Sequence, residues 1–491
     1  MVALVLVALL ARLYHLGDKP YWLDEVTTVR RASLGVHALV VDSLSFHHLP
    51  LYFLISRGFT ALGTNEASLR LPAALFGALS CALLYGASRM IGGRRAAVAA
   101  SMLLALNPFQ VQYGQEARSY TLVICFIVLA LWSLASTLRN PAAAARPWRA
   151  PGSARIGWLL YGVATIGALD TLSVAVYWLL AGLLAIALIA AKHPKQRRGL
   201  LINAGLVHVV ILACYLPWVV AMHQLTHGDM ASGLDWVPPL TWYRFWTTIQ
   251  GVYLLRTTSL IRFYTFPDGL PWLGWLASLA AGLGLLRNVG RDGAVLVAAV
   301  ALAMLPAGLL VTSLVSPVWM PRYLAWSGPV FFLFAGLGLA RLPRRSSWVA
   351  IAALGALSVV NLLPYYRLET KPLWNQAAVL LRRGLPPEGL LFTDAPVDVA
   401  MMNITLGRLG EPFRADRWTA DPGLALRQLQ GGHPVWAVHG RVGQADHTSV
   451  ATFAETVSPL GAPCWSGAVG LDIIIEAFAP SGSACTAPAV E

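Results

Sequence analysis

The sequence VALVLVALLARLYHLGDKPYWLDE, residues 2–25, joins an apolar run to two adjacent carboxylates, Asp24 and Glu25. Its apolar part, 2–16, is short for a hydrocarbon core of about 30 Å and carries an arginine and a histidine near its far end. No small-residue cleavage site precedes the carboxylates, so we interpret the run as a membrane anchor rather than a signal peptide. Because no basic residues lie ahead of it, we expect the natural start to lie further upstream.

The composition of the whole chain indicates a polytopic membrane protein. Of 491 residues, 57% are hydrophobic and only 12% are charged, with a mean hydropathy of +0.62. A water-soluble globule does not have this composition. The net charge of +13 is compatible with nucleic-acid binding, but the basic residues lie in short clusters between apolar runs. That distribution is typical of membrane topology, so no nucleic-acid partner is expected.

The apolar runs predict about eleven membrane-spanning helices. After the run at 2–16, they are expected at 71–90, 96–109, 120–138, 156–169, 172–191, 200–221, 270–286, 294–315, 323–340 and 348–363. Two long polar and aromatic segments, 17–70 and 222–269, interrupt this series. The first contains amphipathic stretches at 26–41 and 49–61, which we expect to form helices lying at the membrane interface.

Basic residues predict which ends of the spans face the cytoplasm. They form five clusters on alternate loops: Arg89, Arg94 and Arg95; Arg139, Arg146, Arg149 and Arg155; Lys192, Lys195, Arg197 and Arg198; Arg287 and Arg291; and Arg341, Arg344 and Arg345. By the positive-inside rule these loops are cytoplasmic. The segments 17–70, 110–119, 222–269 and 316–322 and the C-terminal tail are then expected on the outer face.

The tail changes character from residue 365, where glycine, proline and charge return. Runs typical of strands, at 389–392, 435–438 and 471–477, alternate with helical runs at 373–383 and 424–429. We therefore predict two domains, a membrane domain at 1–364 and a soluble α/β domain at 365–491, which is long enough to bury its own core. Cys464 and Cys485 lie in this outer domain, where disulfide-bonded and free states are both open.

Polar side chains suited to catalysis gather on the outer face. They are Asp24, Glu25, His47, His48 and Tyr52 in the first outer segment; Glu116, Arg118 and Tyr120 in the second; Asp170 in the third; and Arg322 and Tyr323 before the span at 323–340. A carboxylate can take the proton of an attacking acceptor, and we expect Asp24 to do so. Arg322 suits a leaving phosphate, helped by His48 and Tyr323. Glu116 is expected to position the acceptor or hold Arg118.

Each of these residues also has a structural interpretation. Glu25 is as consistent with facing water as with binding substrate, and Glu116 and Arg118 are as consistent with pairing only with each other. Asp170 is interpreted as a loop or cap residue. Adjacent histidine side chains diverge, so metal binding is the less favoured role for His47 and His48. The sequence shows no required cofactor, and a divalent metal stays open without a ligand pattern that supports it. Arg322 is compatible with anchoring at the interface, but basic residues are scarce on its side, which favours a functional role.

The order of several motifs resembles that of one enzyme family. The motifs are RLY at 12–14, YWLDE at 21–25, HLPLY at 48–52, EASLRLPAALFG at 66–77, NP at 107–108, QEARSY at 115–120, RYL at 322–324 and KPLWNQAA at 371–378. They resemble the GT-C membrane glycosyltransferases. More narrowly, they are similar to the branch with protein O-mannosyltransferases, lipid A aminoarabinose transferases and rhizobial lipopolysaccharide galacturonic-acid transferases. The resemblance covers the first 120 residues well and the rest loosely.

The resemblance implies the GT-C fold and inverting transfer of a hexosyl or pentosyl group from a polyprenyl-phosphate-linked donor. The reaction is expected at the periplasmic face of a bacterial inner membrane, with lipid A, another glycolipid, a glycan or a protein as acceptor. The family's catalytic acids fall on Asp24 and Glu116. The family commonly has a second proline or a lysine where this chain has His47-His48-Leu49-Pro50.

Two other functions stay open. A membrane ligase that uses a lipid-linked oligosaccharide shares nearly all these features. A non-enzymatic lipid or glycolipid transporter is expected to have ionisable residues in mid-span and paired halves with broken helices. The sequence shows neither feature, which favours an enzyme.

Overall fold

The computed structural model describes residues 1–146, 152–228, 237–253, 271–288, 293–440, 448–470, 473–480 and 482–483, apart from the side chains of 153, 271–275 and 448–450. The chain divides into two compact units. Unit 1 comprises Met1–Leu16, Arg30–Thr258 and Phe266–Tyr366, and unit 2 comprises Gly17–Val29, Ser259–Thr265 and Arg367–Glu491.

Unit 1 is built from helices. They are Val2–Leu13, Val36–Ser45, Leu51–Phe59, Glu66–Leu106, Pro108–Gly114, Tyr120–Leu138, Pro141–Ala144, Ser153–Leu169, Val176–Lys192, Arg197–Leu225, Trp242–Tyr253, Pro271–Asn288, Gly293–Ser313, Pro321–Leu324, Gly328–Leu339 and Arg344–Arg367. Short 3-10 turns lie at Thr60–Leu62, Ser173–Ala175 and Ala325–Ser327. A further helix, Leu23–Ser33, begins in unit 2 and ends in unit 1.

Asparagine side chains start several of these helices. Asn65 accepts a hydrogen bond from the Ser68 amide at 2.9 Å, and Asn107 accepts one from the Gln110 amide at 2.9 Å. Each satisfies an amide that has no partner within the first helical turn. Proline follows Asn107 at the first helical position, where its missing amide hydrogen costs nothing.

Among the described residues, six helices are long and apolar enough to cross a membrane. They are Glu66–Leu106, Tyr120–Leu138, Ser173–Lys192, Arg197–Leu225, Gly293–Ser313 and Arg344–Arg367. The predicted spans at 71–90, 96–109, 120–138, 172–191, 200–221, 294–315 and 348–363 fall on these helices. The spans predicted at 2–16, 156–169 and 270–286 fall on Val2–Leu13, Ser153–Leu169 and Pro271–Asn288. The one predicted at 323–340 is divided, because a 3-10 turn at Ala325–Ser327 separates Pro321–Leu324 from Gly328–Leu339.

The helix Glu66–Leu106 is a hairpin of two helices. Gly93 has φ +78° and ψ −171°, which lies outside the helical region and which glycine adopts without a Cβ clash. The Ser101 hydroxyl donates to the carbonyl of Cys81 at 3.0 Å, across twenty residues of chain. The halves before and after Gly93 therefore pack side by side, as expected for two separate spans.

The basic loops lie at one end of the helices of unit 1. Hydrogen bonds join them: Arg95 Nη1 to the Leu342 carbonyl (2.9 Å), Arg139 Nη1 to the Met90 carbonyl (3.1 Å), Arg341 Nη2 to Asn288 Oδ1 (2.6 Å) and Asn203 Nδ2 to the Ala144 carbonyl (3.2 Å). These contacts connect four of the five loops that carry the predicted clusters and place the helix Arg197–Leu225, which follows the loop at 192–198, beside the second of them. Arg149 and Arg291 lie outside the described residues.

Loops at the other end of unit 1 are joined in the same way. The Leu51 amide donates to the Asp170 carbonyl at 3.4 Å, and Gln115 Nε2 donates to the Tyr14 carbonyl at 2.6 Å. Arg70 Nη1 donates to the carbonyl of Leu16 at 3.0 Å. The segment with Leu51 thus lies beside the loop at Asp170, and the segment with Gln115 lies beside the end of the first helix, as alternate basic loops predict.

Arg12 joins the first helix to the hairpin from inside the protein. Its guanidinium is buried and donates to the carbonyls of Ala8 (3.0 Å), Ala105 (3.2 Å) and Leu104 (3.3 Å). Two glycines make room for it, since a Cβ on Gly77 would lie 2.4 Å from Arg12 Nε and one on Gly114 would lie 2.8 Å from Arg12 Cδ. The cation is therefore held by three backbone carbonyls, two of which lie in the last turn of the helix Glu66–Leu106.

Unit 2 contains a five-stranded sheet with the order β2-β1-β3-β5-β4. Its strands are β1 Leu390–Thr393, β2 Trp418–Thr419, β3 Val435–Gly440, β4 Trp465–Val469 and β5 Ile473–Phe478. Strand β1 is parallel to β2 and β3, whereas β5 is antiparallel to β3 and β4. The helices are Trp374–Gly384, Pro396–Arg408, Pro422–Gln430 and Thr448–Val457.

The prediction of a helical membrane protein with an α/β tail is confirmed. The strand-like runs at 389–392, 435–438 and 471–477 fall on β1, β3 and β5, and both predicted tail helices are present. The prediction missed β2 and β4 and the helices Pro396–Arg408 and Thr448–Val457. Cys464 is disulfide-bonded. Cys485, the partner that the sequence left open, lies outside the described residues.

We predict that Gly77→Ala destabilises the protein through Arg12. The added methyl group would displace the guanidinium from its carbonyl partners, at a cost of about 1–3 kcal/mol. The midpoint of thermal unfolding in detergent should fall. Gly205→Ala is the matched control, because Gly205 lies in the helix Arg197–Leu225 with open space around its Cβ position. Equal midpoints for the two variants would contradict the role given to Arg12.

Candidate functional site

Asp24 and Glu25 lie in the first turn of the helix Leu23–Ser33. The turn forms because the Trp22 carbonyl accepts hydrogen bonds from the amides of Glu25 (2.8 Å) and Val26 (3.1 Å). Carboxylates are favoured at this position by the helix dipole. The two adjacent carboxylates, Asp24 and Glu25, therefore lie at the start of a helix, and both belong to unit 2.

One interpretation of the sequence placed Glu25 in water, and the structure contradicts it. Its side chain is fully buried, and Oε2 lies 2.6 Å from Nζ of Lys371, which is itself only 8% exposed. Asp24, its neighbour, is half-buried. A buried carboxylate next to a buried ammonium is held by a charge-assisted hydrogen bond in a medium that screens charge weakly.

The residues before Glu25 are held against the same part of unit 2. Lys19 Nζ donates to Thr370 Oγ1 at 2.7 Å. The guanidinium of Arg408 lies 5.6 Å from the centre of the Tyr21 ring, within the range of a cation–π interaction. Segment 17–29 thus packs as an integral part of unit 2.

His48 and Tyr52 lie around Phe53 in unit 1. The rings of His48 and Tyr52 meet the Phe53 ring edge-on, with centroids 6.0 and 6.1 Å away. His47 has φ +59°, a left-handed conformation that turns the chain between the helices Val36–Ser45 and Leu51–Phe59. Nowhere in the described part of the chain do three His, Cys, Asp or Glu side chains gather closely enough to hold a metal ion.

Arg31 is a buried cation that the sequence analysis missed. Its Nε donates to Asp42 at 2.7 Å, and its guanidinium lies 4.6 Å from the centre of the Phe53 ring. Burial lowers the pKa of Arg31 to about 10, although Asp42 opposes the shift. Adjacent arginines at 30–31, followed by one acid in an otherwise apolar helix, were the available signal.

The second predicted group, Glu116, Arg118 and Tyr120, is entirely buried. The Arg118 amide donates to the Glu116 carbonyl at 2.7 Å in a tight turn, and the Arg118 guanidinium lies 6.0 Å from the centre of the Tyr120 ring. The charge of Arg118 also helps to lower the pKa of Arg31. The structure thus brings the group at 116–120 into electrostatic reach of the cluster that contains His48 and Tyr52.

Arg322 and Tyr323 lie on the one-turn helix Pro321–Leu324, where both side chains are half-buried. The Tyr323 amide donates to the Met320 carbonyl at 3.1 Å, which closes this turn. Pro321 occupies the first position of this helix, and the 3-10 segment Ala325–Ser327 follows its last residue. Both residues belong to unit 1, whereas Asp24 and Glu25 belong to unit 2.

Asp170 caps the C-terminus of the helix Ser153–Leu169, as its interpretation as a loop or cap residue suggested. Its Oδ1 atom is buried and has no hydrogen-bond partner among the described residues. Burial raises the pKa of Asp170 to about 6. Burial therefore favours the protonated form of this carboxyl group.

We predict that Asp170→Asn stabilises the protein in a pH-dependent way. Because the folded-state pKa lies above the ordinary value of 3.8, ionisation costs stability progressively as pH rises from about 4 to 6. The variant avoids this cost, which solvent screening reduces at a partly exposed site. Its unfolding midpoint should exceed that of wild type by about 1–3 °C at pH 8 and match it near pH 4. A difference independent of pH would contradict the assignment.

Comparison with known proteins shows the same fold. A family model described as dolichyl-phosphate-mannose-protein mannosyltransferase matches residues 47–220. No curated protein sequence matches the chain. The crystal structure of ArnT from Cupriavidus metallidurans in the apo state is 17% identical, covers 97% of each chain and has a TM-score of 0.59. The same protein bound to undecaprenyl phosphate is 18% identical, with 98% of each chain covered and a TM-score of 0.58.

A more distant structure is an oligosaccharyltransferase from Archaeoglobus fulgidus in the apo form. It is 12% identical, with 99% of this chain and 75% of that chain covered and a TM-score of 0.50. At such identities the solved structures establish the fold, and the family model adds the motifs at 48–52, 66–77 and 115–120. The chain therefore has the fold of these membrane glycosyltransferases, and its residues 47–220 resemble the dolichyl-phosphate-mannose-protein mannosyltransferase family.

Proposed function

We propose that the protein transfers a hexosyl or pentosyl group, with inversion, from a polyprenyl-phosphate-linked donor to a lipid, glycan or protein acceptor. The observation that carries this proposal is the fold shared with ArnT over 98% of both chains, in a structure of ArnT bound to undecaprenyl phosphate. A family model named for a dolichyl-phosphate-linked sugar supports the same class of donor. The reaction takes place at the periplasmic face of a bacterial inner membrane.

Asp24 acts as the general base in this proposal. An acceptor hydroxyl or amine attacks the anomeric carbon of the donor sugar, loses its proton to Asp24 and displaces the polyprenyl phosphate. One displacement from the opposite face inverts the anomeric configuration. Asp24 suits the role because it lies half-buried at a fixed helix start, beside a carboxylate that is already engaged by Lys371. Glu116 acts as the second acid, which positions the acceptor.

Cations of unit 1 bind the phosphate that leaves. Arg118 and Arg322 neutralise its charge, because a guanidinium can donate two parallel hydrogen bonds to phosphate oxygens. His48 and Tyr323 add donors, and Tyr52, Tyr120 and His47 line the donor or acceptor path. Of the two arginines, Arg118 has the stronger support. Its side chain is buried, and its guanidinium lies beside the Tyr120 ring.

The membrane domain at 1–364 carries the donor path, and the domain at 365–491 lies on the periplasmic side. The five basic loops at one end of unit 1 support a cytoplasmic position for that end. The outer segments at the other end then face the periplasm. No step in the proposed reaction needs a metal ion.

We predict that Asp24→Asn abolishes sugar transfer while the protein stays folded. Loss of a general base typically lowers the rate by about a hundredfold to ten-thousandfold. The measurement is transfer of radiolabelled sugar from a panel of synthetic polyprenyl-phosphate sugars to a membrane extract, by purified protein in nanodiscs. Asp18→Asn is the matched control, because Asp18 is an exposed carboxylate in the same segment of unit 2. It should keep wild-type activity.

The outcomes separate the competing functions. Full activity in Asp24→Asn would overturn the assignment of the base. If folded wild-type protein uses no monosaccharide donor but transfers a lipid-linked oligosaccharide, the protein is a ligase. If it moves labelled lipid across the bilayer without transferring any sugar, it is a transporter.

A further inference from the structure

The ion pair between Glu25 and Lys371 joins two parts of unit 2 that lie 346 residues apart in sequence. Its two charged atoms are 2.6 Å apart, Glu25 is fully buried and Lys371 nearly so. Among the described pairs of an arginine or lysine with an acid in unit 2, it differs from the others in burial, and only the pair of His439 with Asp394 also has one buried member. Arg382 with Glu411, Arg414 with Asp416 and Arg427 with Asp421 all have both side chains exposed.

Burial of this pair points to a role in geometry rather than in stability alone. A buried ion pair often contributes no more stability than two apolar side chains of the same size, because both charges lose their hydration. It does impose a direction, since the ammonium and the carboxylate must meet within hydrogen-bond distance. Removal of one partner removes this constraint and leaves the other charge buried without its partner at 2.6 Å, which favours a shift of that side chain.

The helical turn that contains Glu25 also carries Asp24. Successive residues of a helix point about 100° apart, so a fixed direction for Glu25 determines the direction of Asp24. Lys371 is held in turn next to Thr370, which accepts a hydrogen bond from Lys19 in the same N-terminal segment. Thr370 and Lys371 therefore bind Lys19 and Glu25, the residues that flank the segment 20–24.

We propose that Lys371 is a positioning residue for the transfer reaction, because its ion pair with Glu25 fixes the helical turn from which Asp24 acts. The proposal deepens the proposed function and rests on it. Through Lys371, the C-terminal part of the chain then contributes to the geometry of the reaction. The proposal also gives Glu25 a role through Lys371, in addition to any contact with substrate.

The test compares steady-state kinetics of Lys371→Met, Lys371→Arg and the double variant Glu25→Gln/Lys371→Met with wild type. A misplaced base stabilises the transition state less but leaves substrate binding unchanged. Lys371→Met should therefore lower kcat by at least about tenfold and change the KM for donor by less than about threefold. Lys371→Arg retains the cation and should recover kcat to within about threefold of wild type. The double variant should be no slower than Lys371→Met, because both changes break one interaction.

The matched control is Arg382→Met, which breaks an exposed ion pair of the same unit. It should leave kcat and KM unchanged, because exposed pairs contribute little. Size-exclusion chromatography and thermal unfolding report whether each variant is folded. If Lys371→Met does not fold, the double variant decides the case, since it removes both charges of the pair.

A folded Lys371→Met or double variant with wild-type kcat would overturn the positioning role while the proposed function stands. So would a rise in KM with kcat unchanged, or an arginine variant as slow as the methionine variant. Absence of transfer by wild type from every donor would overturn the proposed function itself, and the positioning role with it. The Asp24→Asn comparison distinguishes the two failures.

Discussion

A charged side chain that is buried needs an opposite charge or hydrogen-bond partners to offset its lost hydration. This constraint acts in both units of the protein. In unit 2, Glu25 is fully buried and remains compatible with the fold because Lys371 lies 2.6 Å away. In unit 1, Arg12 is buried with three backbone carbonyls around its guanidinium. Both contacts join segments that are far apart in sequence, and both hold the N-terminal residues in place.

The same constraint explains where the polar residues of unit 1 lie. Within hydrocarbon, backbone groups are satisfied only inside helices, so polar side chains concentrate where helices end. The basic loops meet at one end, and the segments with His48, Asp170 and Gln115 meet at the other. The proposed reaction needs this separation, because a lipid-linked donor would enter from the bilayer and react with polar groups near its surface.

Local patterns were sufficient to predict most of the fold. Long apolar runs located the spanning helices, and alternating strand-like and helical runs located much of the tail. The division of the span at 323–340 was missed because Pro321 and the 3-10 turn interrupt an otherwise apolar run. Strand β2 is only two residues long, and β4 has no strongly apolar run, so neither gave a usable pattern.

The site was predictable only as far as its individual residue types. Asp24, Glu116 and Arg118 stood out as polar residues beside apolar helices. The ion pairs of Glu25 with Lys371 and of Arg31 with Asp42 did not, because tertiary packing brings these residues together. Glu25 illustrates the difficulty: an acid at the end of an apolar segment is ordinarily solvated, whereas here a buried ammonium, that of Lys371, lies 2.6 Å from it.

The most direct test of the central claim, use of a polyprenyl-phosphate-linked donor, is a cryo-electron microscopy structure of the protein in nanodiscs with undecaprenyl phosphate. We expect density for the phosphate within hydrogen-bond distance of Arg118 or Arg322, with the isoprenoid chain along the helices of unit 1. Phosphate bound only at the basic loops of the opposite end, or no binding to a folded protein at saturating lipid, would contradict the claim.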